Sequence, residues 1–132
     1  MKKEILVITS TVDDTVDYII KKYGEKACFC RFDVDRFSDY TININNFGFA
    51  ISCDKWEINL SDIVSIYYRK PMLPDFSISE FRPDYHVMLA KDNITVVNGI
   101  VDSFIGKVLT KPNILRRTEN KVFQLMLICW KD

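Results

Sequence analysis

Three stretches of this sequence predict an α/β fold built on a mixed sheet. Glu4 to Ser10 is a continuous apolar run of the kind that forms a central parallel strand. Between Tyr40 and Leu60 the pattern switches to a period of two, as in antiparallel strands with one covered face. Ile63, Val64, Ile66, Tyr67 and Tyr68 then read as a second buried strand, because β-branched and aromatic side chains suit a pleated, covered surface. The expected architecture is a βαβ start and a central antiparallel meander, with helices on both faces of the sheet.

Each element has its own signal. Thr11, Asp13 and Asp14 follow the first strand and offer capping oxygens and negative charge for a helix start. Val12, Val16, Ile19, Ile20 and Tyr23 recur at helical spacing, and Gly24 closes the segment. Ala27 to Phe32 is the second strand, so a right-handed βαβ unit is expected. Tyr40–Asn45 and Phe49–Cys53 form a hairpin around Asn46-Phe47-Gly48, Trp56–Leu60 is the third meander strand, and Ser61-Asp62-Ile63 turns into the next. Pro71 cannot donate to a ladder and should end that strand, which places Arg69 and Lys70 at its carboxyl end. Asp75 to Asp84 reads as a loop and Tyr85 to Leu109 as mostly helical. Lys111-Pro112-Asn113 breaks that pattern before a last helix from Glu119 to Trp130.

Size and composition exclude several classes. A chain of 132 residues is expected to be a single domain, residues 1–132, large enough to bury a core without staples. Lysine and arginine balance aspartate and glutamate at 18 each, so no global field favours nucleic acid or an anionic membrane. The apolar run after Met1-Lys2-Lys3 is too short for a signal peptide, and no stretch approaches a membrane span, so a cytoplasmic protein is expected. Cys28, Cys30, Cys53 and Cys129 have neither zinc-site spacing nor a Cys-x-x-Cys motif, and Cys28 and Cys30 read as small buried thiols.

The candidate binding residues cluster at strand ends. In open α/β sheets, ligands bind at the carboxyl edge, and the guanidinium of Arg69 matches a carboxylate or phosphate. Strand alternation allows only one of Arg69 and Lys70 into a given cleft. Arg116 and Arg117 form a second cationic pair, read as preceding a helix start, where cations are disfavoured. Asp33, Asp35 and Arg36 follow the second strand; two exposed carboxylates beside an arginine need no metal. His86 is the single histidine, so any histidine-based nucleophile arrangement must include it. Gly24, Gly48, Gly99 and Gly106 are scattered, and no glycine-rich phosphate loop exists.

Taken in order, these motifs resemble a known family. The opening strand Ile5–Ser10 is followed by Asp13 or Asp14. Arg31-Phe32-Asp33-Val34-Asp35-Arg36-Phe37 ends the second strand, and Tyr67-Tyr68-Arg69-Lys70-Pro71 ends the strand after the meander. Arg116-Arg117-Thr118-Glu119-Asn120-Lys121 leads into Gln124-Leu125. The set is similar to the N-terminal region of the ATP-grasp ligases that mature ribosomally made peptides, the microviridin-type or graspetide maturases, and covers essentially the whole chain. Tyr67 stands where that family often has tryptophan and Lys70 where a second arginine is common. The last motif matches only through Lys121, Gln124 and Leu125.

The resemblance implies a pre-ATP-grasp domain that carries no catalytic residues of its own. It would contribute Tyr68, Arg69, Lys70, Asp33, Asp35, Arg36, Arg116 and Arg117 to a precursor- or leader-peptide surface or to the contact with the catalytic lobes. ATP and magnesium would belong to those lobes, after residue 132, and no metal site is expected within the chain. Ending inside or just after a helix suits either a truncated ligase or a stand-alone relative of its first domain. Two further readings are a protein that dimerises through an exposed hydrophobic face, and a small enzyme using Arg69, Asp33, Asp35 and His86.

Overall fold

A computed structural model of the chain describes residues 3–69, 71–75 and 82–130. The strand, helix, strand start is β1 (Glu4–Thr9), α1 (Asp14–Tyr23) and β2 (Cys28–Asp33), with β1 and β2 paired in parallel. A short 3-10 segment, Val34–Asp39, leads to β3 (Thr41–Asn45), β4 (Gly48–Ser52) and β5 (Glu57–Asn59). After a 3-10 turn at Leu60–Asp62 comes β6 (Ile63–Tyr68). The chain closes with α2 (Pro83–Ser103), β7 (Lys107–Leu109), α3 (Pro112–Glu119) and α4 (Lys121–Trp130).

The α/β class is as expected, with its two kinds of strand pairing separated into two sheets. One is parallel, in the order β2-β1-β6-β7; the other is the antiparallel meander β3-β4-β5. A side chain helps keep them apart. The Tyr40 hydroxyl accepts from the Asp33 amide at 3.0 Å and donates to the Arg31 carbonyl at 3.3 Å, so it takes the place of a neighbouring strand at the open edge of β2. Tyr40 also stacks on Phe32, with ring centroids 4.5 Å apart.

The two sheets share a core instead. Leu6, Ile8, Phe32 and Ile66 from the parallel sheet share one core with Phe49, Ile51 and Ile58 from the meander and with Val97, Ile100 and Val101 of α2. The other face of the parallel sheet carries Val7 beside Arg31, and Arg31 pairs with Asp17 of α1. Helices therefore lie on both faces, α2 on one and α1 on the other.

Two segments near the carboxyl terminus differ from the sequence expectation. The helix read through Leu109 stops at Ser103, and Lys107–Leu109 is the fourth parallel strand. Phe104, Ile105 and Val108 mimic helical spacing, but Gly106 sits where an added Cβ would lie 2.5 Å from the Phe104 ring, and Lys111 Nζ caps the Phe104 carbonyl at 2.9 Å. The stretch after Lys111, read only as a break before the last helix, holds a helix of its own, α3, which ends at Asn120, and α4 is the expected last helix. Arg116 and Arg117 thus lie in the last turn of α3 rather than before a helix start, and there a cation complements the helix dipole. Cys28, expected buried, is exposed, whereas Cys30 is buried and its thiol is pushed up to about 12 by burial and by Glu4. No helix among the described residues is long and apolar enough to cross a membrane.

Candidate functional site: the carboxyl edge of the parallel sheet

All four parallel strands end on the same edge, and the turns after β1, β2 and β6 are bound together there. Asp13 is the hub. It caps α1 by accepting from the Val16 amide at 3.2 Å and takes the Thr9 hydroxyl at 2.6 Å. Arg69 reaches both of its oxygens, Nε at 3.2 Å and Nη2 at 3.3 Å, in a bidentate pair. Burial alone would push the Asp13 carboxyl up, but the bonds from Arg69, Thr9 and Val16 outweigh it and hold the group below the ordinary carboxylate range. The pairing with Asp13 raises Arg69 in turn, and its guanidinium lies 5.9 Å from the centre of the Tyr67 ring.

A second knot ties β2 to the same turn. Arg31 donates to Asp33 at 2.8 Å and to the Ser10 and Thr11 carbonyls at 2.8 and 3.2 Å, and it pairs with Asp17. Asp35 receives the Thr11 amide at 2.9 Å and the Thr11 hydroxyl. The Ser10 hydroxyl accepts from the Met72 amide at 2.6 Å, drawing the segment after Pro71 back over the edge.

Tyr68 faces the other side of the sheet. Its hydroxyl donates to Asn98 of α2 at 3.0 Å, and burial pushes its pKa above the ordinary tyrosine value. With Pro71, Ile94, Asn98, Pro112 and Arg116 it lines a cleft of about 220 Å³. Arg116 is largely exposed, 4.0 Å from Asp102.

The residues singled out from the sequence therefore fall into two groups. Arg69, Asp33 and Asp35 gather around the start of α1, whereas Tyr68 and Arg116 meet across the sheet, beside α2. Arg36 and Arg117 are exposed, and neither forms an ion pair with another described residue. Lys70 lies outside the described residues. His86 sits on α2 and lines a separate groove with Leu73, Pro74 and Lys91, so it does not converge with Arg69, Asp33 and Asp35.

Sequence reasoning treated Asp13 only as a cap and Arg31 only as part of a motif. The available signal was the spacing: Arg31 and Asp33 alternate onto one strand face, and Thr9 and Asp13 flank a single turn. The edge does not fit a nucleotide phosphate. Asp13 already occupies the amino terminus of α1, and both Arg31 and Arg69 are committed to carboxylates. Among the described residues no group of three or more histidine, cysteine or acidic side chains could hold a metal ion.

The fold is shared with solved structures. The macrocyclase MdnC from Microcystis aeruginosa, crystallised with its precursor peptide MdnA, superposes with a TM-score of 0.82 at 18% identity, over 94% of this chain and 42% of MdnC. MdnB from the same organism gives 0.77 at 21% identity, over 95% of this chain and 43% of MdnB. A Chryseobacterium gregarium ATP-grasp ligase in complex with ADP and a leader and core peptide gives 0.73 at 24% identity, over 96% and 40%. No protein-family model and no curated protein matches the sequence. The chain thus has the fold of the N-terminal part of ATP-grasp peptide ligases and spans about two fifths of their length.

Proposed function

We propose that this chain is a non-catalytic pre-ATP-grasp module of a peptide-maturing ligase, and that it helps to hold a precursor peptide or to seat the catalytic lobes. The observation that carries this reading is the match over 94% of the chain to part of a macrocyclase crystallised with its precursor peptide. Phosphoryl chemistry on ATP and magnesium belongs, on this reading, to other segments. The residues here supply shape and charge at the carboxyl edge.

Arg69 is the side chain chosen to meet a partner. Its guanidinium is about one-third exposed even while paired with Asp13, so one rim of the fork faces solvent. Tyr68 and Arg116 line the neighbouring cleft, and Asp33, Asp35, Arg36, Lys70 and Arg117 would flank the contact.

The test is fluorescence anisotropy of labelled MdnA precursor peptide with the purified chain, with and without ATP. The expected result is saturable binding that weakens roughly tenfold in Arg69→Ala, equivalent to about 1.4 kcal/mol. ATP turnover by the chain alone would overturn the non-catalytic assignment. Binding unchanged by Arg69→Ala and by Arg116→Ala would remove this edge as the contact surface.

A further inference from the structure

Two arginines serve the carboxyl edge, and they are held very differently. Arg31 is 20% exposed and directs its donors to Asp33 at 2.8 Å, to the Ser10 and Thr11 carbonyls at 2.8 and 3.2 Å, and to Asp17. Arg69 is 35% exposed, and among the described residues its ion pair is with Asp13. Both bonds of that pair are long, 3.2 Å from Nε and 3.3 Å from Nη2. A well-made guanidinium–carboxylate bond runs about 2.7–2.9 Å.

Asp13 does not depend on that pair. Its Oδ2 takes the Thr9 hydroxyl at 2.6 Å, its Oδ1 takes the Val16 amide at 3.2 Å, and the first turn of α1 sets partial positive charge beside it. Only 12% of its side chain is exposed. Each oxygen would keep a donor if Arg69 left, so the carboxylate is the fixed member of the pair and the guanidinium the movable one. Arg69 also has a resting place on leaving. Its guanidinium carbon lies 5.9 Å from the centre of the Tyr67 ring, a contact that needs no carboxylate.

We propose that Asp13 is an internal competitor for Arg69: the site takes a partner's carboxylate, and Arg69 exchanges the Asp13 carboxylate for it. The proposal rests on the reading of Arg69 as the residue that meets a partner. The occupant's chemistry follows from the group already held there. A fork bound to one carboxylate through Nε and Nη2 presents the same two-donor geometry to another. The second charge of a phosphate would be repelled by Asp13, which stays at the edge after the exchange. Pairing in the free chain lowers the apparent affinity by the paired fraction, so a partner must outcompete Asp13 to bind. A well-placed carboxylate is thereby selected over diffuse negative charge.

The test uses Asp13→Asn, which keeps Oδ1 for the Val16 amide but sets an NH2 group where Oδ2 faced Arg69 Nε. The cap survives and the pair does not. Asp13→Ser, a hydroxyl cap that cannot pair, should behave the same way and serves if the first variant does not fold. Two probes are followed. One is the Arg69 Nε–H resonance during titration with sodium acetate, with sodium chloride as the ionic-strength control; the other is anisotropy of labelled MdnA peptide. Wild type should need roughly three- to fivefold more acetate than Asp13→Asn for the same shift, the range of an exposed ion pair. MdnA should bind Asp13→Asn tighter by a similar factor, and amidating the peptide's carboxyl groups should remove that gain. Equal acetate titrations in the two proteins, or a chloride response as large as that to acetate, would overturn the proposal. Peptide binding that weakens in Arg69→Ala but is unchanged in Asp13→Asn would overturn it too, while leaving Arg69 as the contact. Discrimination by acetate without any peptide binding would support the exchange and count against the peptide-holding role.

Discussion

The carboxyl edge of the parallel sheet and the groove beside the hairpin are opposites in composition and in completeness. At the edge, Asp13, Asp17, Asp33, Arg31 and Arg69 satisfy one another at close range, and the turns of three strands become one unit. At the groove the side chains are uncharged and mostly apolar, and part of the space between sheet and helix is unfilled. Charge that is paired fixes a shape, and what it offers a partner is the part left exposed, chiefly one-third of Arg69. Apolar surface that is not fully covered still has binding free energy to gain. If this contrast is right, trimming the edge should cost stability, and filling the groove should not.

A residue of the core that the two sheets share should show the largest effect. Phe32 is 1% exposed, stacks on Tyr40 and meets Phe37 edge-on at 6.0 Å. Phe32→Ala should cost about 3–5 kcal/mol in chemical denaturation. It should also loosen Tyr40 from the β2 edge, which would appear as faster amide exchange at Asp33. A loss near 1 kcal/mol would mean that the two sheets are held together elsewhere.

At the edge itself, Arg31→Met keeps the aliphatic stem but removes donors to Asp17, Asp33 and two carbonyls. The side chain is mostly buried, so the expected cost is about 2–3 kcal/mol. Asp13 comes next. Asp13→Ala loses both the cap and the Arg69 pair, for about 1–2 kcal/mol, whereas Asp13→Asn keeps a capping oxygen and should lose less. Because the folded-state constant of Asp13 lies below its ordinary 3.8, its charge stabilises the fold above that value. That stabilisation is lost as pH falls through the lowered constant. The difference between wild type and Asp13→Asn should therefore shrink in acid, and a difference that grew in acid would reverse the assignment.

Legibility in the sequence followed the same divide. β1, α1, β2, the hairpin and the end of β6 before Pro71 were readable because periodicity, caps and turn residues act locally. β7 was not, because Phe104, Ile105 and Val108 are spaced like a helix face and become a strand only when Val108 finds Ile66. α3 was missed because Lys111-Pro112-Asn113 reads as a break, whereas Pro112 stands at the first helical position, where its missing amide costs nothing. In the site, Arg69 was visible as the end of a strand. Its partner Asp13, 56 residues away, was not, because only the parallel pairing of β1 with β6 brings them together. Separation into two sheets was likewise invisible, since the Tyr40 hydroxyl that occupies the β2 edge gives no sign of that role in the sequence.

Gly99 gives the smallest predicted effect and the one with the opposite sign. It lies within α2, lines the groove, and has no atom within 4 Å of where a Cβ would stand. A glycine inside a helix costs roughly 0.5–1 kcal/mol relative to alanine, because more backbone freedom is lost on folding. Gly99→Ala should therefore raise the stability of the single chain by about that amount, with no repacking to offset the gain. The same methyl group would project into the open groove, where it meets no neighbour. A variant that became less stable as a monomer would show that the groove is closed in solution, and the contrast with the charged edge would fail at that point.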